Sequence, residues 1–229
     1  MSNCVLRIQN LTKVYETDAG CITALRNINL DFRKGEFVAI VGPSGCGKST
    51  LLNLIGLLDK PSAGTVEVAG IPTDELADSS KALIRNQLIG FIFQSYNLIQ
   101  RTTVINNVTL PGIICHRRRK QLRFRAKKLL AVMGIADKAQ SRPTQLSGGQ
   151  QQRVAIARSL INDPPIILAD EPTGNLDSQN GLEVFQLLKK LTRRLSRTVV
   201  MVTHNLEMAS AVDRAIYVRD GQIEREVRN

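Results

Sequence analysis

The chain is poor in aromatic residues, at 4 % of 229, and carries only two histidines. Its four cysteines, Cys4, Cys21, Cys46 and Cys115, are scattered, with no CxxC pair and no metal-ligand spacing. That argues against a disulfide framework or a zinc site and leaves reduced thiols of a cytosolic chain. No stretch approaches the roughly 18 uncharged apolar residues of a membrane span, and the N-terminus has no apolar leader core. Neither secretion nor membrane insertion is therefore expected. Internal repeats and low-complexity linkers are absent too. The remainder, 43 % apolar and 22 % charged, describes one ordinary globular domain with a substantial core.

One charge sign dominates. The formal net charge is +11, and its distribution matters more than its total. The run "HRRRKQLRFRAKK" (116–128) holds eight Lys or Arg and no acid, and "KKLTRRLSR" (189–197) adds five more. Both also carry apolar residues at helical spacing, so their cations face water or an anionic lipid surface. Aromatics are too few for a basic surface on which bases stack, which argues against nucleic acid. The sequons at Asn10 and Asn107 carry no meaning in a cytosolic chain.

"CVLRIQNL", "INLDF" and "GTVEVAG" read as short strands of a small antiparallel layer. "FVAIV" (37–41) is unbroken apolar sequence, as a strand covered on both faces requires. The same grammar returns at "IGFIF" (89–93), "IILA" (166–169) and "VVMVT" (199–203). Helical periods lie between, at Leu122, Ala126, Leu129 or Leu130, and Met133, at Val184, Leu188, Leu191 and Leu195, and in "VAIARSL". Strands alternating with helices predict an α/β fold whose ligand site lies at the carboxyl ends of a mainly parallel sheet. "AIYVRDGQIERE" predicts a closing hairpin.

"GPSGCGKST" follows the first buried strand and fits a phosphate loop from Gly42 to Ser49. Its backbone N–H groups, from Gly42, Pro43, Ser44, Gly45, Cys46 and Gly47 onward to Thr50, wrap towards phosphate oxygens (Pro43 contributing shape only). Lys48 supplies a mobile positive charge there, and Ser49 a hydroxyl for Mg²⁺. Asp170, at the end of "IILAD", is the expected metal carboxylate, and Glu171 beside it the base that holds an attacking water. Gln94 follows another buried strand, where its amide can meet water or metal. His204 follows a fourth and can orient the water and Glu171; His116 belongs to the surface.

"LSGGQ" (146–150) is a second backbone-rich anion site, without lysine or metal carboxylate beside it. Such a half-site is complete only if a twin chain, packed head to tail, brings Ser147, Gly148, Gly149 and Gln150 to the nucleotide held by the first. Asp177 in "GNLD" lies where it can cross that interface and link the two sites.

These elements together resemble the nucleotide-binding subunit of ATP-binding cassette transporters, and the likeness covers the chain from "LTKVYE" to "DGQIERE". The resemblance implies an ATP- and Mg²⁺-dependent ATPase with a phosphate-loop core, a small antiparallel β subdomain and a helical subdomain near 95–160. It also implies a homodimer closing on ATP, a polytopic permease as partner, and a place on the cytoplasmic face of the membrane. Tyr15 resembles the aromatic that stacks on adenine, and Arg153 is a candidate for the interface or the ribose. "EPTGNLD", "LLNLIGLLDKPSAG" and "FQSYNLIQRTTVINNV" resemble the subgroup serving lipoprotein release and macrolide or peptide export. Ile99 and Gln100 replace the Leu-Pro-like pair of those relatives, in the segment expected to grip the permease. DNA-repair ATPases of similar head are the rival class, but they insert a long coiled coil, and here Lys48 and Ser147 are only 99 residues apart.

Overall fold

A computed structural model of the chain describes residues 4–18 and 20–229. Two long strands, β1 (Cys4–Thr17) and β2 (Gly20–Arg33), pair antiparallel and lead into β3 (Phe37–Val41) and α1 (Lys48–Ile55). β4 (Ala63–Val68), β5 (Ile71–Pro72), α2 (Asp78–Leu88) and β6 (Ile89–Ile92) follow. Next come three helices, α3 (Val104–Ile114), α4 (Arg119–Val132) and α5 (Gly148–Ser159). The chain closes with β7 (Ile166–Asp170), α6 (Ser178–Leu195), β8 (Thr198–Thr203), α7 (Leu206–Ser210), β9 (Arg214–Arg219) and β10 (Gln222–Arg228).

The six-stranded sheet runs β10-β9-β3-β8-β7-β6, parallel except for the β9–β10 hairpin, and a second, antiparallel sheet runs β2-β1-β4-β5. The continuous apolar runs now have their reason. Successive side chains of a strand point to opposite faces. Phe37, Ala39 and Val41 of β3 join one core cluster, with Val199 and Met201 of β8 and Ile167 and Ala169 of β7. Val38, Ile40, Val200, Val202, Ile166 and Leu168 join the other. Residues of α3 to α6 fill the first core, while α1 and the antiparallel sheet fill the second. The molecule therefore has three layers around the parallel sheet.

α6 presents Val184, Leu188 and Leu191 to the core and starts at Asp177, whose carboxylate accepts from the Asn180 amide at 3.0 Å. α3 contains Pro111 and mixed β-branched residues, yet it buries Val104, Ile105 and Val108. Asn107, one of the two sequons, is fully buried. Its side chain accepts from the Ile99 amide at 2.7 Å and donates to the carbonyls of Ile99 and Thr103 at 3.1 Å. It pins the 99–103 loop to α3 and is out of reach of any modifying enzyme. Among the described residues no helix is long and apolar enough to cross a membrane.

Candidate functional site

β3, β8, β7 and β6 run parallel, so their carboxyl ends open on one edge of the sheet. The loop after β3 carries the predicted phosphate-binding residues. Gly47 caps α1 with φ of 101°, and a Cβ there would lie 2.5 Å from the Ala24 carbonyl oxygen, so only glycine fits. Lys48 is buried, its ammonium donating to the carbonyls of Gly42 at 2.8 Å and Pro43 at 2.6 Å. A cleft of about 470 Å³ adjoins the loop, lined by Ser44, Gly45, Gly47, Lys48, Ser49 and Thr50 together with Glu171 and Gly221.

Two of the three expected metal ligands, Ser49 and Asp170, meet. Ser49 Oγ donates to Asp170 Oδ1 at 3.2 Å, although 121 residues separate them. Burial pushes the Asp170 carboxyl above its ordinary range, and neighbouring Glu171 pushes the same way. A half-buried carboxylate beside a hydroxyl is a hard oxygen donor pair, which suits Mg²⁺ completed by phosphate oxygens and water. Among the described residues no three or more His, Cys, Asp or Glu cluster as a metal cage.

Glu171 adopts φ of 43°, a strained left-handed conformation for a non-glycine residue. Its Oε2 lies 3.3 Å from Nδ1 of His204 at the end of β8. Gln94 lies close by: a Cβ at Gly174 would be 2.9 Å from Gln94 Nε2 and 3.2 Å from Glu171 Oε2. The Gln94 amide donates to Asn175 Oδ1 at 3.4 Å, and Asn175 Nδ2 returns a bond to the Gln94 carbonyl at 3.0 Å. Lys48, Ser49, Asp170, Glu171, His204 and Gln94 thus gather at one sheet edge.

The second half-site stays apart from this cleft. Ser147 caps α5, its Oγ accepting from the Gln150 amide at 3.3 Å while Gln150 Oε1 accepts from the Ser147 amide at 3.1 Å. The amides of Gly148 and Gly149 take no internal partner among the described hydrogen bonds. A Cβ at Gly149 would stand 2.6 Å from Asn180 Oδ1, which places the loop of Asp177 against the start of α5. Asp177 is held ionised well below the usual range by the Asn180 backbone and side-chain N–H groups.

Tyr15 sits beside the cleft rather than in its lining; its cross-strand partner Ile22 lines it. The Tyr15 hydroxyl donates to Asp59 Oδ2 at 2.9 Å, and the Lys13 ammonium lies 4.8 Å from the ring centroid. Arg153 donates to the Met133 carbonyl at 3.0 Å and pairs with Glu183 within its own chain.

Sequence reasoning missed three features. Gln152 is fully buried and donates to the Pro172 carbonyl at 2.7 Å, tying α5 to the turn after Glu171. Arg158 donates to the carbonyls of Tyr96, at 2.7 Å, and Asn97, fixing two consecutive residues of positive φ in the loop after Gln94. A groove of about 420 Å³, with Phe91, Phe93, Arg85, Asn162 and Ile114 in its walls, opens beside that loop. Both residues hide within a helix that reads as merely amphipathic, and no motif marks the groove.

Comparison with known proteins decides the family, since the ABC transporter family profile matches residues 25–174. The chain belongs to the ABC transporter family. The ABC transporter ATP-binding protein MJ0796 of Methanocaldococcus jannaschii is 50 % identical over 226 residues, covering 97 % of this chain and 96 % of that one. A dimeric structure of the MJ0796 cassette in a post-hydrolysis state, bound to ADP and Pi, superposes with a TM-score of 0.91 at 48 % identity over 97 % of this chain and 98 % of its own. The macrolide export protein MacB of Vibrio parahaemolyticus is 44 % identical over 97 % of this chain, which spans 34 % of that longer protein. The lipoprotein-releasing ATP-binding protein LolD 2 of Caulobacter vibrioides is 42 % identical, covering 98 % of both. This ABC cassette is an ATP-binding, ATP-hydrolysing subunit, with the mixed sheet, antiparallel layer and helical layer of that fold.

Proposed function

We propose that two copies of this cassette close head to tail over two Mg–ATP molecules and thereby drive a membrane permease. The observation that carries the reading is the separation of the two half-sites. Gly148 and Gly149, whose amides take no partner among the described hydrogen bonds, lie outside the lining of their own chain's phosphate-loop cleft, and a second chain would bring them to it. The dimer of the MJ0796 cassette supports that arrangement.

Within it, the loop amides and Lys48 hold the β and γ phosphates, and Ser147 with the Gly148 and Gly149 amides of the second chain closes on the γ-phosphate. Glu171 accepts a proton from the attacking water, and His204, 3.3 Å from its carboxylate, keeps that carboxylate turned to its task. When bound by Ser49 and Asp170, Mg²⁺ would neutralise charge on the phosphates. Gln94 stands where the groove-side loop begins and can sense closure. Tyr15 and Ile22 offer a shelf for the adenine. Asp177, packed against the start of α5, links one site to the other.

Glu171→Gln keeps the size and backbone of the residue but removes the proton acceptor. Turnover is expected to fall by about 10²-fold or more, with ATP still bound and the dimer accumulating in sedimentation. A variant that turns over at the wild-type rate overturns the assignment.

The permease reading draws on the groove between α2, β6 and α3, whose aromatic and aliphatic walls suit a helix from a membrane subunit. MacB and LolD 2 support export or extraction of a lipoprotein, peptide or macrolide-like substrate. Ile114→Glu, at 62 % exposure on the groove wall, is expected to lose the membrane subunit in a pull-down without changing ATP binding.

A further inference from the structure

From residue 79 to residue 136 the chain contains 11 lysines and arginines and not one acid, leaving 20 basic and 20 acidic residues everywhere else. The whole net charge of +11 therefore belongs to this one segment. It folds into α2 after its first residue, β6, α3 and α4, and it supplies most of the groove wall, including Arg85, Phe91, Phe93 and Ile114.

The cations concentrate on α4. Arg125 pairs with Asp163 at 2.8 Å, and Arg117 donates to the Asn162 carbonyl at 3.2 Å. Arg118, Arg119, Lys120, Arg123, Lys127 and Lys128 are exposed and form no ion pair among the described residues. Three of them, Arg118 to Lys120, occupy the cap and first turn of α4, where no acid or side-chain cap offsets the helix dipole. A helix prefers carboxylates there, so this placement costs the fold stability and calls for an external anion.

Apolar side chains share the surface. Phe124 is 62 % exposed with the Lys128 ammonium 4.4 Å from its ring centroid, and Val132 and Ile114 are 68 % and 62 % exposed. The basic run thus carries one exposed aromatic ring. One ring is no stacking platform for bases, but cations around exposed Phe, Val and Ile are the composition of a helix lying on an anionic bilayer.

We propose that the solvent face of α4 docks on anionic phospholipid headgroups, its cations on the phosphates and Phe124 in the boundary layer. The transporter reading contributes only the orientation, since a groove that takes a membrane subunit turns the adjoining α3–α4 corner to the bilayer. The basic run of α6 is the control surface, because it belongs to the charge-balanced remainder of the chain.

The test uses the nucleotide-free chain sedimented with vesicles of phosphatidylcholine alone, or with about one-third phosphatidylglycerol. Binding is expected only to the anionic vesicles, and to fade at high salt as the charges are screened. Each surface cation contributes about fivefold in partition, so replacing Lys120, Arg123, Lys127 and Lys128 by Gln is expected to weaken binding about a hundredfold or more. Phe124→Ala is expected to weaken it several-fold. Replacing Lys189, Lys190, Arg193 and Arg194 by Gln is expected to leave binding close to wild type, with ATPase activity unchanged and melting temperature not lowered in the α4 variant. Equal binding to both vesicle types, no binding to either, an equal loss in both quadruple variants, or tighter binding to a DNA duplex than to anionic vesicles overturns the proposal. No permease is present in the assay, so such a failure leaves the transporter reading standing, while wild-type turnover by Glu171→Gln would strike that reading and not this one.

Discussion

At the scale of single residues, the partners of a carboxylate separate one that holds the fold from one placed at the cleft. Asp163 is a holding residue. Burial alone would raise its carboxyl, but bonds from Arg125 and Arg197, at 2.8 and 2.7 Å, outweigh that and lower it. A lowered carboxyl stabilises the fold above its unfolded titration range, and that stability disappears as pH falls through the folded value. Asp163 is more than half exposed, so the contribution is small, below about 1 kcal/mol. Asp163→Asn tolerates the φ of 64° at this position. It is expected to lower the urea midpoint at neutral pH and to match wild type once the pH is below the lowered carboxyl range. Glu171 shares the left-handed backbone, at φ of 43°, but its carboxylate faces His204 at 3.3 Å at the mouth of the phosphate-loop cleft and not a pair of arginines, which is the pattern of a residue placed for reaction.

Among elements, the strands were the most legible in sequence and the helices between α1 and β7 the least. β3, β7 and β8 read directly, because burial on both faces forces unbroken apolar sequence. The phosphate loop, Asp170, Glu171 and His204 followed, since each is simply the residue after such a strand. α2 buries no residue completely, and α3 is apolar on most sides with Pro111 inside, so neither displays a clean helical stripe. The Arg158 and Gln152 bonds were illegible for a different reason: both join segments far apart in sequence through backbone carbonyls, which carry no side-chain code. Asn107 also bonds backbone groups, but locally, to Ile99 and Thr103. Asn107→Ala removes three bonds from a fully buried amide and is expected to cost about 2 kcal/mol in urea unfolding. Trypsin should then cut the loosened loop faster at exposed Arg101.

For the whole molecule, the proposed division of the fuel site between two copies gives the sharpest test. Lys48→Ala is expected to abolish ATP binding in calorimetry, and Ser147→Ala to weaken closure without abolishing it. Mixed together, these variants can form one composite site with both Lys48 and Ser147 intact, so the mixture is expected to hydrolyse ATP faster than either alone. ATP hydrolysis at full rate by a strict monomer, with no recovery in the mixture, contradicts a shared site.

The phosphate loop, Asp170, Glu171, His204 and Gln94 all end or follow strands of one hydrogen-bonded ladder, whereas the Ser147 turn opens α5 in the helical layer, which Gln152 ties to the turn after Glu171. The first group behaves as an anvil and the second as a hammer. Heating or mild denaturant should therefore blunt the stroke, loosening the helical layer and its grip on a partner copy, at conditions where a lone nucleotide still finds its seat.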